Sequence, residues 1–249
     1  MDAWIAAIAS VILVSLLSMI GIVLLMVSDK VLKSVVFVLV GLAVGGLFGD
    51  AFVHLIPEAF DITTSATLTS VSILLGVFAF FILEKFLHWR HEHTCEFDEI
   101  CIKPVGYINL ASDGVHNLID GLLIGVSYLA SIEIGVATTL AIIMHEIPQE
   151  IGDFGVLIHA GFTKRRALFF NFLAASVAIA GTITSLMIGE TVESYKVIML
   201  PLAAGGFIYI AGSDLVPEMQ RESSVKKSTI QILAIAAGVG LILILKLFE

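Results

Sequence analysis

The sequence predicts an all-α, polytopic membrane protein with eight transmembrane helices, on the basis of its composition and its long apolar runs. Of its 249 residues, 58% are hydrophobic and only 14% are charged, whereas soluble domains carry about 25% charged residues. A transmembrane helix needs about 20 mostly apolar residues in succession. Eight such runs occur, and they are continuously apolar rather than alternating, which favours helices over a β-barrel. The predicted spans are residues 4–27, 34–57, 66–87, 105–130, 133–159, 166–189, 195–216 and 229–248.

The composition also excludes several classes of protein. A chain this apolar is neither an ordinary soluble globule nor a disordered segment. The net charge of −9 argues against nucleic acid as a partner, because nucleic-acid-binding domains are basic. Two cysteines cannot build a disulfide-rich secreted scaffold. No linker divides the chain, so we expect one domain over residues 1–249, and the first apolar run lacks the basic start of a signal peptide.

The basic residues predict the topology of the chain in the membrane. Eleven of the 13 Lys and Arg residues fall in, or within three residues of, the connections after spans one, three, five and seven. The positive-inside rule places these connections in the cytoplasm. Eight spans then put both termini outside the cytoplasm, in a multi-pass protein of the cell (inner) membrane that is surrounded by the lipid bilayer.

An internal repeat links two of the spans. Residues 43–59 (AVGGLFGDAFVHLIPEA) align without a gap with residues 203–219 (AAGGFIYIAGSDLVPEM), and they share a glycine pair and a Pro-Glu ending. One copy lies in a span predicted to run outward and the other in a span predicted to run inward. This indicates an inverted repeat that relates spans 1–3 to spans 6–8, an arrangement typical of secondary transporters. Two helices of merely similar composition are the alternative interpretation.

Spans four and five carry five carboxylates near their centres. Each carboxylate at the middle of a bilayer costs about 2.5–3.5 kcal/mol, so five charged ones cost on the order of 10 kcal/mol or more. Packing does not account for such a cost, and water, protons or a cation must compensate for it. These carboxylates are Asp113, Asp120, Glu146, Glu150 and Asp153.

The spacing of the polar residues in these two spans favours a metal ion. His116 and Asp120 are four residues apart and share a helix face, and the same spacing joins His145 to Gln149. Two antiparallel helices joined by a short loop can bring such faces together into a mixed nitrogen and oxygen site for Zn²⁺, Fe²⁺ or Mn²⁺. A second ion could lie beside the first. The candidate metal ligands are His116, Asn117, Asp120, His145, Glu146, Gln149 and Glu150.

Some of the polar residues allow a second interpretation when each is taken singly. Asn117 alone would serve as a hydrogen-bonding residue between helices, and either histidine alone would be an ordinary buried side chain. Further polar residues at helical spacing predict an ion pathway, although those in span two could instead cap a helix at the interface. The predicted pathway residues are Asp50, His54, Glu58, Asp113, Asp153, Asp214 and Glu218.

The longest connection, residues 88–104, combines histidines with both cysteines of the chain. The cytosol keeps thiols reduced, so metal ligation is favoured over a disulfide. The spacing matches no standard zinc motif, and a solvated loop with incidental histidines is the alternative. The candidate ligands of this loop are His88, His91, His93, Cys95 and Cys101.

These motifs together resemble those of the ZIP (Zrt/Irt-like) family of divalent metal transporters, above all its LIV-1 branch and prokaryotic relatives. The resemblance extends over the whole chain. HNLIDG at 116–121 and HEIPQEIGDF at 145–154 resemble the signatures of spans four and five, and GDAFVHLIPEAF at 49–60, NFLAA at 171–175 and the segment 205–219 also match that branch.

The resemblance implies eight helices in a 3+2+3 arrangement and uptake of a divalent metal into the cytoplasm. It implies that His116, Asp120, His145 and Gln149 hold the main ion, and that Asn117, Glu146 and Glu150 hold or border a second one. The sequence departs from the LIV-1 branch at Gln149, where a second histidine is common. It also departs from some bacterial relatives, which place a carboxylate of span six at the second ion, because span six here has no carboxylate before Glu190.

We therefore expect that the protein is not an enzyme and holds no prosthetic group. We expect a transporter whose substrate is a divalent metal ion, most of all zinc and otherwise iron, manganese or cadmium. An intramembrane zinc metalloprotease is the alternative, since His145-Glu146-x-x-Gln149 is one residue away from H-E-x-x-H, but the second histidine is missing. The same ligands would also suit a metal exporter or a membrane metal sensor that does not transport. Gly-rich helix faces allow close packing in a homodimer.

Overall fold

The computed structural model describes residues 3–21, 29–89, 104–192, 194–220 and 223–247. These residues form eight consecutive helical segments, named here α1 to α8. Three of them are composite: α2 and α7 each contain one π-helical turn, and α6 is interrupted at Ser176. The segments are α1 (Ala3–Leu17), α2 (Asp29–Asp50, the π-turn Ala51–Leu55 and Ile56–Asp61), α3 (Ala66–Trp89), α4 (Pro104–Ala130), α5 (Ile132–His159), α6 (Lys164–Ala175 and Val177–Thr191), α7 (Tyr195–Tyr209, the π-turn Ile210–Leu215 and Val216–Gln220) and α8 (Val225–Lys246).

Six of these helices are long and apolar enough to cross a membrane, which makes the chain a multi-pass membrane protein. The six spans lie in α1, α2, α3, α6, α7 and α8. The other two, α4 and α5, have 27 and 28 residues, and at 1.5 Å per residue each is about 40 Å long. They carry the mid-helix carboxylates, which lower their hydropathy. The all-α class is thus confirmed. That α4 and α5 also cross the membrane stays a prediction, because they are long enough to do so but are not among the six candidate spans.

A single residue, Ser131, connects α4 to α5. Its backbone is extended, with φ of −157° and ψ of 166°, and its side-chain oxygen accepts a hydrogen bond from the backbone N–H of Ile134. This is the standard N-cap of a helix, in which a serine hydroxyl satisfies one of the unpaired amides of the first turn. Because the connection is so short, α4 and α5 are antiparallel neighbours along their length.

The two halves of the chain repeat the same close helix contact. A Cβ atom built on Gly45 in α2 would lie 2.1 Å from the carbonyl oxygen of Ile235 in α8, and one built on Gly205 in α7 would lie 2.1 Å from that of Ile73 in α3. Only glycine allows two helix backbones to approach this closely. The two glycines are equivalent in the alignment of residues 43–59 with 203–219. The contact of α2 with α8 therefore corresponds to the contact of α7 with α3, as the sequence repeat predicts.

The π-helical turns follow the same pattern. One covers Ala51–Leu55 and the other Ile210–Leu215. In the alignment of the repeat, residues 51–55 correspond to residues 211–215, which lie within the second turn. A π-turn widens a helix by one residue and frequently marks a functional site. Both turns lie just after the paired glycines.

The remaining helices pack around α4 and α5. α4 contacts α6 closely at Gly121, where a Cβ would lie 1.9 Å from the carbonyl oxygen of Ala178, and α5 packs on α1 and α2. Buried side chains from α1, α2, α4, α5, α6 and α7 form one continuous core, which includes the fully buried Leu47, Ile142 and Phe207. The middle of α4 and α5 thus lies inside the protein rather than at its surface.

Candidate metal centre

Four side chains from the middle of α4 and α5 converge on one point. Their ligand atoms all lie within 4.8 Å of one another. Nε2 of His145 is 3.1 Å from Oδ2 of Asp120 and 3.7 Å from Oε1 of Glu146. Nε2 of His116 is 3.5 Å from the same oxygen of Glu146 and 3.4 Å from Nε2 of His145. Two imidazoles and two carboxylates therefore present their ligand atoms to a common centre.

The ring of His145 is fixed by its own helix. Its Nδ1 lies 3.1 Å from the backbone carbonyl oxygen of Ala141, one turn earlier. When Nδ1–H donates to this carbonyl, the lone pair of Nε2 is left for a metal ion, and the carbonyl holds the ring in the orientation that ligation needs. The arrangement is that of a histidine prepared to bind a metal.

The cluster is buried, and two of its oxygens have no hydrogen-bond donor. Asp120, His145 and Glu146 are exposed by 0, 2 and 1%, while the side chain of His116 keeps 20% of its exposure. Oδ1 of Asp120 and Oε1 of Glu146 are buried and have no hydrogen-bond partner among the described residues. A buried carboxylate oxygen without a donor is costly, and a divalent cation at the centre would compensate both groups at once.

Two predicted ligands form hydrogen bonds next to this cluster. The amide of Asn117 donates to Oδ1 of Asp113 at 2.8 Å. Glu150 accepts a hydrogen bond from the amide of Asn171 in α6. The structure brings Glu146 to His116, Asp120 and His145, whereas the family resemblance implied Gln149 as the fourth ligand of the main ion, which stays a prediction.

These outer residues form a second polar group next to the cluster. In the described part of the chain, no hydrogen-bond donor meets three further buried oxygens: Oε1 of Glu150, Oδ1 of Asn117 and Oδ2 of Asp113. The carboxylates of Glu150, Asp113 and Asp153 interact electrostatically with one another and with Glu146. The oxygens lead from the cluster towards the first turns of α4, where the amide of Asn109 donates to Asp153 at 3.0 Å.

The stripe predicted in span two is partly buried in the protein core. Asp50 and His54 are exposed by 0 and 1%, and Nδ1 of His54 lies 3.3 Å from Oδ1 of Asp50. The hydroxyl of Thr138 in α5 donates to Oδ2 of Asp50 at 2.7 Å. Glu58, one turn beyond the π-turn, is half-buried.

The remaining predicted residues lie in α7, in α3 and in the loop after α3. Asp214 and Glu218 lie in the second π-turn and in the helical turn after it. His88 lies at the end of α3. His91, His93, Cys95 and Cys101 fall outside the described residues.

Three polar residues of the site were not predicted from the sequence. Thr138, Asn109 and Asn171 each meet a carboxylate of another helix. Asn109 lies four residues before Asp113 on the same helix face, a spacing that could have indicated it. Their common feature is a hydrogen-bonding side chain in a predicted span, which is a weak sign of a partner on a neighbouring helix.

The chain is similar to proteins named as zinc transporters. It is 31% identical to zinc transporter zipt-7.2 of Caenorhabditis elegans over 85% of this chain and 58% of that protein. It is 33% identical to zinc transporter ZIP13 of Pongo abelii over 84% of this chain and 66% of that protein, and 27% identical to human zinc transporter SLC39A7 over 87% and 65%. The chain thus spans about three fifths to two thirds of the length of these relatives.

A family model supports the same assignment on independent grounds. The model for the ZIP zinc transporters matches residues 1–100 and 90–246, which include α1 to α8 and all four residues of the buried cluster. The relatives are named as transporters and not as enzymes, in agreement with the prediction from the sequence. The matches and the buried histidine and carboxylate cluster lead to one conclusion: this chain belongs to the ZIP zinc transporter family.

Proposed function

We propose that this chain carries a divalent transition-metal ion, zinc first, across the membrane into the cytoplasm through the cluster of His116, Asp120, His145 and Glu146. The observation that carries the proposal is the convergence of these four ligand atoms within 4.8 Å in the buried centre of α4 and α5. Two imidazole nitrogens and two carboxylate oxygens are a ligand set that suits tetrahedral zinc. Iron, manganese and cadmium are the further substrates that we propose.

The charges of the cluster suit a substrate that must cross a low-dielectric region. Two neutral histidines, two carboxylates and one divalent cation sum to zero, so a loaded site is neutral. Moving a net charge into such surroundings costs several kcal/mol, and a neutral site avoids most of this cost. Asp120 and Glu146 are nearly fully buried, and neutrality is therefore important here.

The second polar group supports a pathway on one side of the site. Asp113, Asn117, Gln149, Glu150 and Asp153 continue from the cluster to the ends of α4 and α5 that the basic residues predict to be cytoplasmic. We propose that they bind the ion as it leaves, or hold a second ion. Asp214 and Glu218 would lie on the same side of the membrane.

On the opposite side, Asp50 and His54 would receive the ion, with Glu58 nearer to the outer end of α2. Both side chains are buried, so this side of the path is closed in the conformation described. Within the cluster, His116 retains some exposure. Such asymmetry is what alternating access requires of a single conformation.

The helix pairs support a division into two moving parts. α2 packs on α8 and α3 on α7 through the equivalent glycines Gly45 and Gly205, α4 packs closely on α6, and α5 packs on both α1 and α2. We propose that the eight helices all span the membrane in a 3+2+3 arrangement within one domain, with both termini outside. The unit that holds α4 and α5 then moves against the paired helices.

The test is uptake of radioactive zinc into proteoliposomes, with iron, manganese and cadmium as competitors. His145→Ala and Asp120→Ala should abolish saturable uptake, because each removes a ligand. Thr139→Ala is the matched control. Within the described residues the Thr139 hydroxyl donates only to the carbonyl of Gly135 in its own helix, so this variant should transport as the parent does. Unchanged uptake in His145→Ala, with equal amounts of folded protein, would refute the site.

A further inference from the structure

An open apolar groove lies between α4 and the first part of α6. Its volume is about 390 Å³, and every residue that lines it is apolar. Leu173 on its wall is 53% exposed, so the groove opens to the outside of the protein and not to the metal centre. Since α6 is a candidate membrane span, this outside is the bilayer.

The groove owes its depth to a glycine. A Cβ atom built on Gly114 would meet no atom within 4 Å, so the missing side chain leaves free space instead of a close helix contact. The position differs from Gly121, two turns further along α4, where a Cβ would lie 1.9 Å from the backbone of α6. The helices therefore touch at Gly121 and leave room for a slender apolar molecule at Gly114.

Basic residues lie at one end of the groove. Phe170 and Leu173 line it, and Arg166 precedes Phe170 by four residues, which puts it on the same face of α6 one turn earlier. Arg166 and its neighbours Lys164 and Arg165 are exposed. In the part of the chain that the structure describes, none of these three forms an ion pair with a carboxylate.

Aromatic rings surround the same end. Tyr107 precedes Leu110 by one turn of α4, and its ring lies 5.4 Å from that of Phe162, which in turn lies 5.9 Å from that of Phe170. Tyr107 is 55% exposed. Exposed tyrosines beside basic residues are typical of the level of the lipid headgroups.

We propose that this groove binds an anionic glycerophospholipid, with one acyl chain along Gly114 and the phosphate at Arg166, Arg165 and Lys164. The apolar walls match an acyl chain, and the three cations match a headgroup of net negative charge. Arginine is suited to phosphate because its guanidinium offers paired donors. Charge complementarity at the end of the groove selects an anionic lipid over a zwitterionic one or a second copy of this chain.

The groove can be filled without disturbing the fold. Gly114→Leu places a side chain where no atom of the protein lies, so it should occupy the acyl-chain site while the variant remains folded. Gly240→Leu in α8 is the matched control, because a Cβ there also meets no atom within 4 Å. Arg166→Gln tests the headgroup, and Lys226→Gln, an exposed lysine of α8, is its control.

Lipid binding is measured on the purified full chain by native mass spectrometry, with dioleoyl phosphatidylglycerol and dioleoyl phosphatidylcholine as probes. The parent chain and both controls should bind the phosphatidylglycerol more tightly. Gly114→Leu should lose at least tenfold in that affinity. Arg166→Gln should lose about fivefold, the effect of one cation near an anionic surface, with little change for phosphatidylcholine.

Several results would overturn the proposal. One is equal affinity of the parent chain for the two lipids, which would leave a non-selective apolar cleft. Another is a Gly114→Leu variant that binds phosphatidylglycerol as the parent does. A third is a change of oligomeric state in Gly114→Leu at unchanged lipid affinity, which would assign the groove to a second copy of the chain. The assay needs no metal transport, so its failure is independent of that of the proposed function.

Discussion

Replacing Glu146 tests which residue completes the metal cluster. In the structure Oε1 of Glu146 lies 3.5 and 3.7 Å from the two histidine nitrogens, whereas the family resemblance implies Gln149 as the fourth ligand. Glu146→Gln keeps the shape of the side chain and removes one negative charge. The loaded site would then carry a net charge of +1 in a buried position.

The magnitude follows from the charge that is left unbalanced. Removing one partner from a buried charge pair costs about 3–5 kcal/mol, so zinc should bind at least on the order of 100-fold more weakly. Gln149→Ala removes a neutral hydrogen-bonding group worth about 1 kcal/mol, and its effect on the Kd should stay below about tenfold.

The assay is competition for zinc between the purified protein and a chromogenic chelator, with Thr139→Ala as the control. The Glu146→Gln protein without metal should unfold at a temperature no lower than that of the parent, because the change removes one of several neighbouring buried carboxylates. This separates loss of a ligand from loss of the fold. A larger loss of affinity in Gln149→Ala than in Glu146→Gln would refute the reasoning and restore the assignment by family resemblance.

Three further outcomes are expected. Zinc at about 100 times its Kd should stabilise the protein by about 2.7 kcal/mol, measured as a higher unfolding temperature that a chelator reverses. His145→Ala should lose this stabilisation. A zinc-induced rise in the unfolding temperature of the variant would place the ion elsewhere. Gly45→Ala should destabilise the protein by about 1–3 kcal/mol or more, because its Cβ would lie 2.1 Å from a backbone oxygen of α8. Gly240→Ala should leave the stability unchanged. Equal unfolding temperatures for the two variants would contradict the close contact at Gly45. Thr138→Val should lower the free energy of unfolding by about 1.5–3 kcal/mol, since the hydroxyl donates to buried Asp50 at 2.7 Å. Thr138→Ser, which keeps the hydroxyl, should be about as stable as the parent. A Thr138→Val protein as stable as the parent would show that this hydrogen bond does not contribute to stability.

The positions of the helices were largely predictable from the sequence. Spans predicted at 105–130 and 133–159 correspond to Pro104–Ala130 and Ile132–His159, because apolar runs and the Ser131 cap are local signals. The π-turns were not predictable. Neither Ala51–Leu55 nor Ile210–Leu215 contains a proline, but each is followed two residues later by one, Pro57 or Pro217. A proline removes a backbone hydrogen bond of its helix, yet the sequence does not show whether a kink or a π-turn results.

All four members of the buried cluster were among the ligands predicted from the sequence. Spacing of four residues groups His116 with Asp120 on one face of α4, as the structure has them. On α5 it offers two adjacent faces, one with His145 and Gln149 and one with Glu146 and Glu150. The cluster takes His145 from the first face and Glu146 from the second, a combination that spacing alone does not indicate. Thr138 and Asn171 were missed because their partners lie on other helices, and no local pattern contains such contacts.

The one-residue connection at Ser131 limits how α4 and α5 can move relative to each other. With α4 and α5 joined so tightly, and Ser131 capping α5, the two helices cannot slide past each other by a turn. His116 and Asp120 therefore keep their axial register with His145 and Glu146. Under the proposed function, the cluster would move as part of one hairpin, and water and neighbouring oxygens would replace its ligands as the ion leaves.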